Sequence, residues 1–213
     1  MFPTKEEQAS WQKILDEFIE YSVDPEEYSE EDTISIFDNV AGVYHSIFEV
    51  FIKKLPEKDQ WEHMRTAPIA VPVGFYVQYH PNEVECAISF GSDEEGFFIQ
   101  IDIENAPNIP QMDDNFWEEF LELRTYGKLE FGPNAWLNDS EIESCPELLF
   151  SNKSQLYSLI RNFILLEANG QQGDAVGWLT VRWSMNESWE DLIQKGSWVF
   201  NRLYKLSKQL QLK

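Results

Sequence analysis

Apolar side chains recur at helical spacing along the first quarter of the chain. The first apolar stripe consists of Trp11, Ile14, Leu15, Phe18 and Ile19. It predicts a helix that Thr4 can cap. A second apolar pattern, from Ile36 to Leu55, covers a broader face, so we expect a longer and more central helix with Asp32 or Thr33 as its cap. Pro56 ends this pattern because proline cannot continue the hydrogen-bond ladder of a helix.

Three segments between positions 71 and 103 alternate apolar and polar side chains, which is the period of a β-strand. They read VPVGFYVQYH, EVECAISF and FFIQIDI. Pro81 with Asn82, and the segment GSDEEG, are turn signals that separate these segments. The alternation favours an antiparallel meander with one face on the core and one in water. Cys86 falls on the apolar side, so we expect a buried thiol.

The second half of the chain predicts further helices. Asp113 or Asp114 can cap a short one. Residues 152–170 have the apolar pattern of a buried helix. Ser188 and Asp191 resemble the capping pair that opens a final helix near the end of the chain.

Two further strands are predicted after the meander. The segment AVGWLTVRWSM, at 175–185, contains the bulky residues typical of a strand. A short strand is expected near Lys128–Phe131. The rest of 128–150 mixes turn residues with no clear period, so its structure and role stay open.

The order of these elements predicts a single α+β domain over residues 1–213. We expect an antiparallel β-meander of at least three strands, with one later strand, packed on one side by about five helices. Its parts are an N-terminal helical pair at 4–56, a sheet at 69–104 and a C-terminal helix–strand–helix unit at 152–211. No internal repeat or low-complexity tract divides the chain.

The turn signals predict a register in which carboxylates face one another. If GSDEEG connects two strands, three pairs lie opposite: Phe90 and Phe97, Glu85 and Asp102, and Glu83 and Glu104. With Pro81 and Asn82 as the central turn residues, His80 falls opposite Glu83. Like charges directly opposite destabilise a sheet by a few tenths to about 1 kcal/mol per pair. We therefore expect an unusually acidic polar face.

Net charge narrows the class of partner. The chain has 38 acidic and 16 basic side chains, which give a formal charge of -22. Such a charge repels nucleic acid and attracts basic proteins. The last helix carries Arg202, Lys205 and Lys208, and no other basic patch stands out. We expect no direct nucleic-acid binding. The sequence shows neither a signal peptide nor an apolar run of membrane-spanning length, which favours a soluble, cytoplasmic protein without membrane contact.

Motifs of known chemistry are missing from the sequence. There is no P-loop, dinucleotide-binding glycine pattern, nucleophile elbow or EF-hand spacing. His45 and His63 lack the spacing of metal ligands, and each is better explained as a structural histidine. We therefore expect a non-enzymatic protein without a cofactor.

The candidate binding surface combines the acidic face with two aromatic contacts. Its residues are Tyr76, His80, Glu83, Glu85, Asp93, Glu94, Glu95, Asp102, Glu104 and Trp136. The sequence-based hypothesis is an acidic inhibitor of the immunity, antitoxin or nucleic-acid-mimic type. Its partner would be a basic protein such as a toxin or a nucleic-acid-handling enzyme. Alternatives are a plain solvated face, a metal-dependent hydrolase or calcium-binding protein that uses the carboxylates, and a chaperone-like or scaffold module.

Overall fold

Four α-helices and six β-strands have described bounds in the computed structural model, which describes residues 2–56, 58–69, 74–103, 106–133, 160–161, 163–164 and 177–211. In chain order they are α1 (Lys5–Val23), α2 (Glu30–Lys54), β1 (Trp61–Ile69), β2 (Gly74–Pro81), β3 (Cys86–Asp93), β4 (Gly96–Ile103), α3 (Asp114–Glu122), β5 (Lys128–Pro133), β6 (Gly177–Trp183) and α4 (Trp189–Gln211). The α+β class is confirmed. About five helices were predicted, and the one expected at 152–170 lies almost entirely outside the described residues.

Side-chain caps define where the N-terminal helices begin. Thr4 caps α1 as predicted, in a reciprocal capping box with Glu7. Ser29 caps α2, so the predicted caps Asp32 and Thr33 are wrong. Asp32 instead completes a second capping box by accepting a hydrogen bond from the Ser29 backbone N–H. Glu30, Glu31 and Asp32 therefore lie in the first turn of α2, where negative charge complements the helix dipole.

The remaining predicted caps are confirmed. Asp113 caps α3 by accepting a hydrogen bond from the Phe116 backbone N–H. Ser188 accepts one from the Asp191 N–H at the start of α4, and its hydroxyl donates back to the Asp191 carboxylate. These short-range contacts follow directly from residue type and spacing.

The six strands form one antiparallel sheet in the order β1-β2-β3-β4-β6-β5. The strand predicted near Lys128–Phe131 is present as β5, and the later strand is present as β6. The sequence interpretation missed β1, in which it placed His63 in a loop. A bulge between His63 and Arg65 interrupts the alternation, and Pro68 is tolerated because β1 is an edge strand.

The register between β3 and β4 differs by two residues from the prediction. Phe90 pairs with Ile99 rather than Phe97, and Asp93 pairs with Gly96. The connection is therefore a two-residue turn, Glu94–Glu95, followed by Gly96 at φ 129°. A shift of two residues keeps each side chain on its predicted face.

The register between β2 and β3 is also wrong in the prediction. Gln78 pairs with Ser89 rather than Glu85. The connection spans 82–85, since β2 ends at Pro81 and β3 begins at Cys86. Val84 is buried within this connection, and the acids beside it leave the sheet. The predicted rows of opposed carboxylates are therefore not formed in the described sheet.

Helices α2 and α4 cover one face of the sheet, here called the inner face. The Phe51 ring contacts Phe90 of β3 at a centroid distance of 5.4 Å, and Phe48 contacts Phe200 of α4 at 5.0 Å. Gly196 of α4 permits this close packing, because a Cβ at that position would collide with Phe51. Cys86 is buried on the inner face, as predicted.

Candidate functional site

The opposite, outer face of the sheet contains a trough along β3. The outward residues of β3 are the small side chains Ala87, Ser89 and Gly91. Larger side chains of β2 and β4 flank them in register. Tyr76 and Phe98 lie on either side of Gly91. A line of small residues between two lines of large ones leaves a depression in the middle of the sheet.

A buried polar network forms the floor of this trough. Gln78 Nε2 donates to Asp102 Oδ2 at 3.1 Å and to Ser89 Oγ at 3.1 Å. Gln100 Nε2 donates to Asp102 Oδ1 at 2.9 Å. Gln78 is 3% exposed and Ser89 is 2% exposed. Because buried polar groups are costly unless they are bonded, this arrangement holds both amides in one orientation.

Contacts from the two sides fix these amide orientations. Arg65 Nε on β1 donates to Gln78 Oε1 at 2.9 Å. Thr180 Oγ1 on β6 donates to Gln100 Oε1 at 3.2 Å. Each amide therefore accepts a hydrogen bond at its oxygen and presents its NH2 group to Asp102. The network runs across five adjacent strands, from β1 to β6.

Asp102 is the acceptor at the centre of this network. Burial raises the pKa of its carboxyl group above the ordinary value of 3.8. The hydrogen bond from Gln100, the positive charge of Arg65 and the hydrogen bond from Gln78 each lower this pKa, but burial outweighs them. The predicted facing residue Glu85 does not contact Asp102, since Ala87 is the residue opposite.

A pocket of about 220 Å³ opens over the floor of the trough. Its lining residues are Arg65, Tyr76, Gln78, Ser89, Phe98 and Gln100. The Arg65 guanidinium lies over the Tyr76 ring at 5.4 Å from its centroid. Tyr76 was predicted as a candidate contact, whereas the other five were not. The alternating small residues of β3 were the available signal, but their large neighbours depend on the register.

Basic partners neutralise several other predicted site residues. Asp93 and Glu95 lie within 2.7 and 3.4 Å of Arg182 on β6. Lys208 of α4 lies 2.8 Å from Glu83. These carboxylates are therefore not a surface of uncompensated negative charge.

The remaining predicted site residues are dispersed. His80 lies opposite Glu62 of β1, and Glu94 is exposed in the β3–β4 turn. The backbone N–H of Glu85 donates to the side chain of Gln211 at 2.6 Å. The other two, Glu104 and Trp136, lie outside the described residues.

The basic residues of α4 are likewise paired. Arg202 Nη1 lies 2.9 Å from Glu119 of α3, and its Nη2 lies 3.0 Å from Glu122. Lys205 also lies 2.8 Å from Glu119. The C-terminal helix therefore contributes an ion-pair network with α3 rather than an exposed basic patch.

A cluster of exposed carboxylates without ion-pair partners among the described residues lies on the N-terminal helices. Residues 16–38, here called the acidic hairpin, comprise the second half of α1, the connection and the start of α2. Its ten carboxylates are Asp16, Glu17, Glu20, Asp24, Glu26, Glu27, Glu30, Glu31, Asp32 and Asp38. All ten are exposed, the segment contains no Lys or Arg, and none of the ten is ion-paired with a described residue. The sequence interpretation treated part of this segment as a solvated linker.

Two histidines meet between α2 and β1. The His45 and His63 rings lie 4.7 Å apart, and His45 Nδ1 lies 2.7 Å from the Tyr79 hydroxyl. Burial and then the neighbouring His63 lower the pKa of His45. Within the described residues, no group of three or more His, Cys, Asp or Glu side chains is placed to hold a metal ion.

Comparisons with family models, with curated proteins and with solved structures each gave no match. None of the helices in the described ranges has both the length and the apolar character needed to cross a membrane. The functional argument therefore rests on the surfaces and the pocket of this chain.

Proposed function

We propose that this protein is a non-enzymatic acidic inhibitor that binds a basic partner protein through the acidic hairpin. The observation that carries this proposal is the set of ten exposed carboxylates within residues 16–38, where no Lys or Arg offsets them. Electrostatic attraction of this kind accelerates the encounter with a positively charged surface. In this proposal the acidic hairpin, and not the polar face of the sheet, is the binding surface.

The distribution of ion pairs supports this assignment. Arg182 on β6 and Arg202 on α4 lie beside carboxylates of β3 and α3, and Lys208 lies beside Glu83 of a strand connection. In the part of the chain that the structure describes, no carboxylate of the acidic hairpin has a cation as an ion-pair partner. The negative charge of the hairpin affects Tyr28. Its pKa is raised by desolvation and then by the charges of Glu20, Glu17, Glu27 and Asp24.

Exposed apolar side chains on the same hairpin supply contacts that charge alone cannot. Ile19 and Val23 lie one turn apart on α1 and are 42% and 81% exposed. Ile34 on α2 is 55% exposed. Apolar contacts inside a charged rim slow dissociation, while the rim charges govern association. The complementary partner is a basic surface with an apolar groove, as found on proteins that handle nucleic acid.

The test compares two variants with the same net charge. The first neutralises four hairpin residues, Glu17, Glu20, Glu27 and Glu31, to Gln. The matched control neutralises four exposed carboxylates elsewhere, Glu62, Glu94, Glu118 and Glu190, to Gln. A partner is first isolated from a lysate of the native host, then purified, and its association and dissociation rates are measured at low and high salt.

Loss of association rate in the hairpin variant, with the control variant unchanged, would support the proposal. Removing four negative charges from the acidic hairpin should reduce the association rate by about tenfold or more at low salt. The purified partner's own activity must also fall when the original protein is added. Equal weakening in both variants would mean that only the net charge of the protein matters. This result would overturn the acidic hairpin as the binding surface. Binding that survives high salt in both would favour a scaffold-type contact instead.

A further inference from the structure

We propose that the pocket on the outer face of the sheet binds a small carboxylate with a planar, apolar body. The pocket is the one lined by Arg65, Tyr76, Gln78, Ser89, Phe98 and Gln100. This ligand site is separate from the acidic hairpin, and it stands or falls independently of the proposed inhibitor function.

Several hydrogen-bond donors in the pocket have no partner among the described residues, whereas each amide oxygen already accepts a hydrogen bond. Gln78 uses its oxygen on Arg65 and its NH2 group on Ser89 and Asp102. Both Asp102 oxygens already accept amide N–H groups. The remaining donors are the Nη groups of Arg65, the hydroxyl hydrogens of Ser89 and Tyr76 and the second N–H of Gln100. A ligand that satisfies them must present acceptor oxygens.

Arg65 is exposed on β1, and its surroundings differ from those of the less exposed Arg182 and Arg202. Arg182 and Arg202 each lie within 3.0 Å of a carboxylate. Among the described residues, Arg65 makes no ion pair within 4.0 Å, and its Nε bonds only to the neutral amide of Gln78. A planar guanidinium with free Nη groups is suited to bidentate contact with a carboxylate.

Asp102 acts on the ligand only through the amides. Its carboxylate draws the NH2 groups of Gln78 and Gln100 inward, and this leaves their oxygens turned toward Arg65 and Thr180. Asp102 is therefore a positioning residue for the pocket floor. Among the described residues, Asp102 does not line the pocket, so it lies behind the amides and not against the ligand.

The walls of the pocket select the body of the ligand. Tyr76 and Phe98 face each other across Gly91, the residue between them in the sheet register. Any side chain at this position would collide with the Phe75 carbonyl and Tyr76. Two aromatic side chains that flank the pocket suit contact with a flat apolar group. A volume of about 220 Å³ is somewhat larger than a cavity that holds one benzene molecule, so a single-ring carboxylate fits.

Benzoate is the probe, and benzamide is its neutral isostere. Titrations of the full chain by calorimetry and by backbone amide NMR are made with the original protein and with Arg65→Gln, Ser89→Ala and Arg124→Gln. Arg124 is exposed outside the pocket, so Arg124→Gln matches the charge change of Arg65→Gln. We expect benzoate to shift the resonances of Ser89 and Gln100, and to bind at least tenfold more weakly to Arg65→Gln.

Ser89→Ala should weaken benzoate binding by several-fold, because it removes one donor and leaves the pocket open. Arg124→Gln should bind as the original does. The proposal is overturned if benzoate does not bind at millimolar concentration, if benzamide binds equally well, or if the resonance shifts lie away from the trough. A loss of folding in Arg65→Gln would be recognised by its NMR spectrum, and Ser89→Ala then carries the test.

Discussion

Arg182 on β6 reaches across β4 and donates from Nη1 to both carboxylate oxygens of Asp93 on β3, each at 2.7 Å. Its guanidinium lies over the Phe98 ring of β4 at 5.3 Å, and its Nε donates to Glu130 of β5 at 2.7 Å. The side chains of Arg182 and Asp93 are 17% and 14% exposed. One cation therefore connects all four strands from β3 to β5 on the outer face.

Replacing Arg182 with Met should lower the free energy of unfolding by about 3 kcal/mol. The change leaves the carboxylates of Asp93 and Glu130 without their shared cation in a partly buried position. Chemical denaturation measures the effect. The matched control is Lys53→Met, because the exposed ion pair of Lys53 with Glu49 should contribute no more than about 0.5 kcal/mol.

The double variant Arg182→Met with Asp93→Asn separates lost attraction from an unpaired charge. If the unpaired Asp93 carboxylate causes most of the loss, the double variant should recover at least about 1 kcal/mol relative to Arg182→Met alone. Strictly additive losses would contradict this explanation.

Gly96 should be intolerant of any side chain, in contrast to Gly42. Gly96 has a φ of 129°, and a Cβ there would collide with the Trp183 carbonyl of β6. Gly96→Ala should therefore destabilise the protein by about 2 kcal/mol or more. Gly42 is exposed on α2 with no atom within 4 Å of a Cβ, so Gly42→Ala should stabilise by about 0.5 kcal/mol. Thermal melts of both variants would test the predicted loss of stability in Gly96→Ala and the predicted gain in Gly42→Ala.

The sequence predicted the two faces of the meander correctly but not its register. Alternation assigns each side chain to a face, and a shift of two residues preserves that assignment. The choice between a longer connection and the two-residue turn Glu94–Glu95 depends on the positive φ of Gly96. That residue type permits such a φ but does not require it. As a result, Asp102 was assigned a carboxylate neighbour that the structure replaces with Ala87.

The sequence alone could not predict the pocket, although each residue that lines the pocket can be read in the sequence. Small residues at 87, 89 and 91 mark a trough on β3. Arg65, the cation above the trough, comes from β1, whose alternation is broken by a bulge. Thr180 comes from β6, which begins 74 positions after the last residue of β4. Contacts between segments so far apart depend on strand order, which local patterns do not encode.

Acidification should reduce stability through His45. Burial and His63 lower its pKa below the ordinary value of 6.5, so the unfolded chain binds a proton more readily than the folded protein. The stability contributed by neutral His45 is present above pH 6.5 and is lost as pH falls through the folded pKa. His45→Asn should therefore lose less stability between about pH 7.5 and 5 than the original does. An NMR titration in which the His45 ring protonates above pH 6.5 would contradict this.

Asp102 should produce the opposite dependence. Burial raises its pKa above 3.8, so the folded protein binds a proton more readily than the unfolded chain. Folding is therefore penalised progressively as pH rises from the unfolded pKa through the folded pKa. Asp102→Asn cannot titrate, so the stability of the original relative to this variant should fall as pH rises from 3.8 through the folded pKa and then remain constant. Taking this difference cancels the titration of the other carboxylates, which both proteins share.

The control for the Asp102 experiment is Glu94→Gln, which makes the same charge change at an exposed turn position. Its comparison with the original accounts for the general effect of removing one negative charge. A constant difference between the original and Asp102→Asn would mean that the buried carboxyl keeps its ordinary pKa. If the stability of the original relative to Asp102→Asn instead rises with pH, Arg65 and the two amides outweigh burial, and charged Asp102 stabilises the fold. Direct NMR titration of the Asp102 carboxyl carbon distinguishes these outcomes, because only a midpoint above 3.8 agrees with a carboxyl group that burial keeps protonated to higher pH.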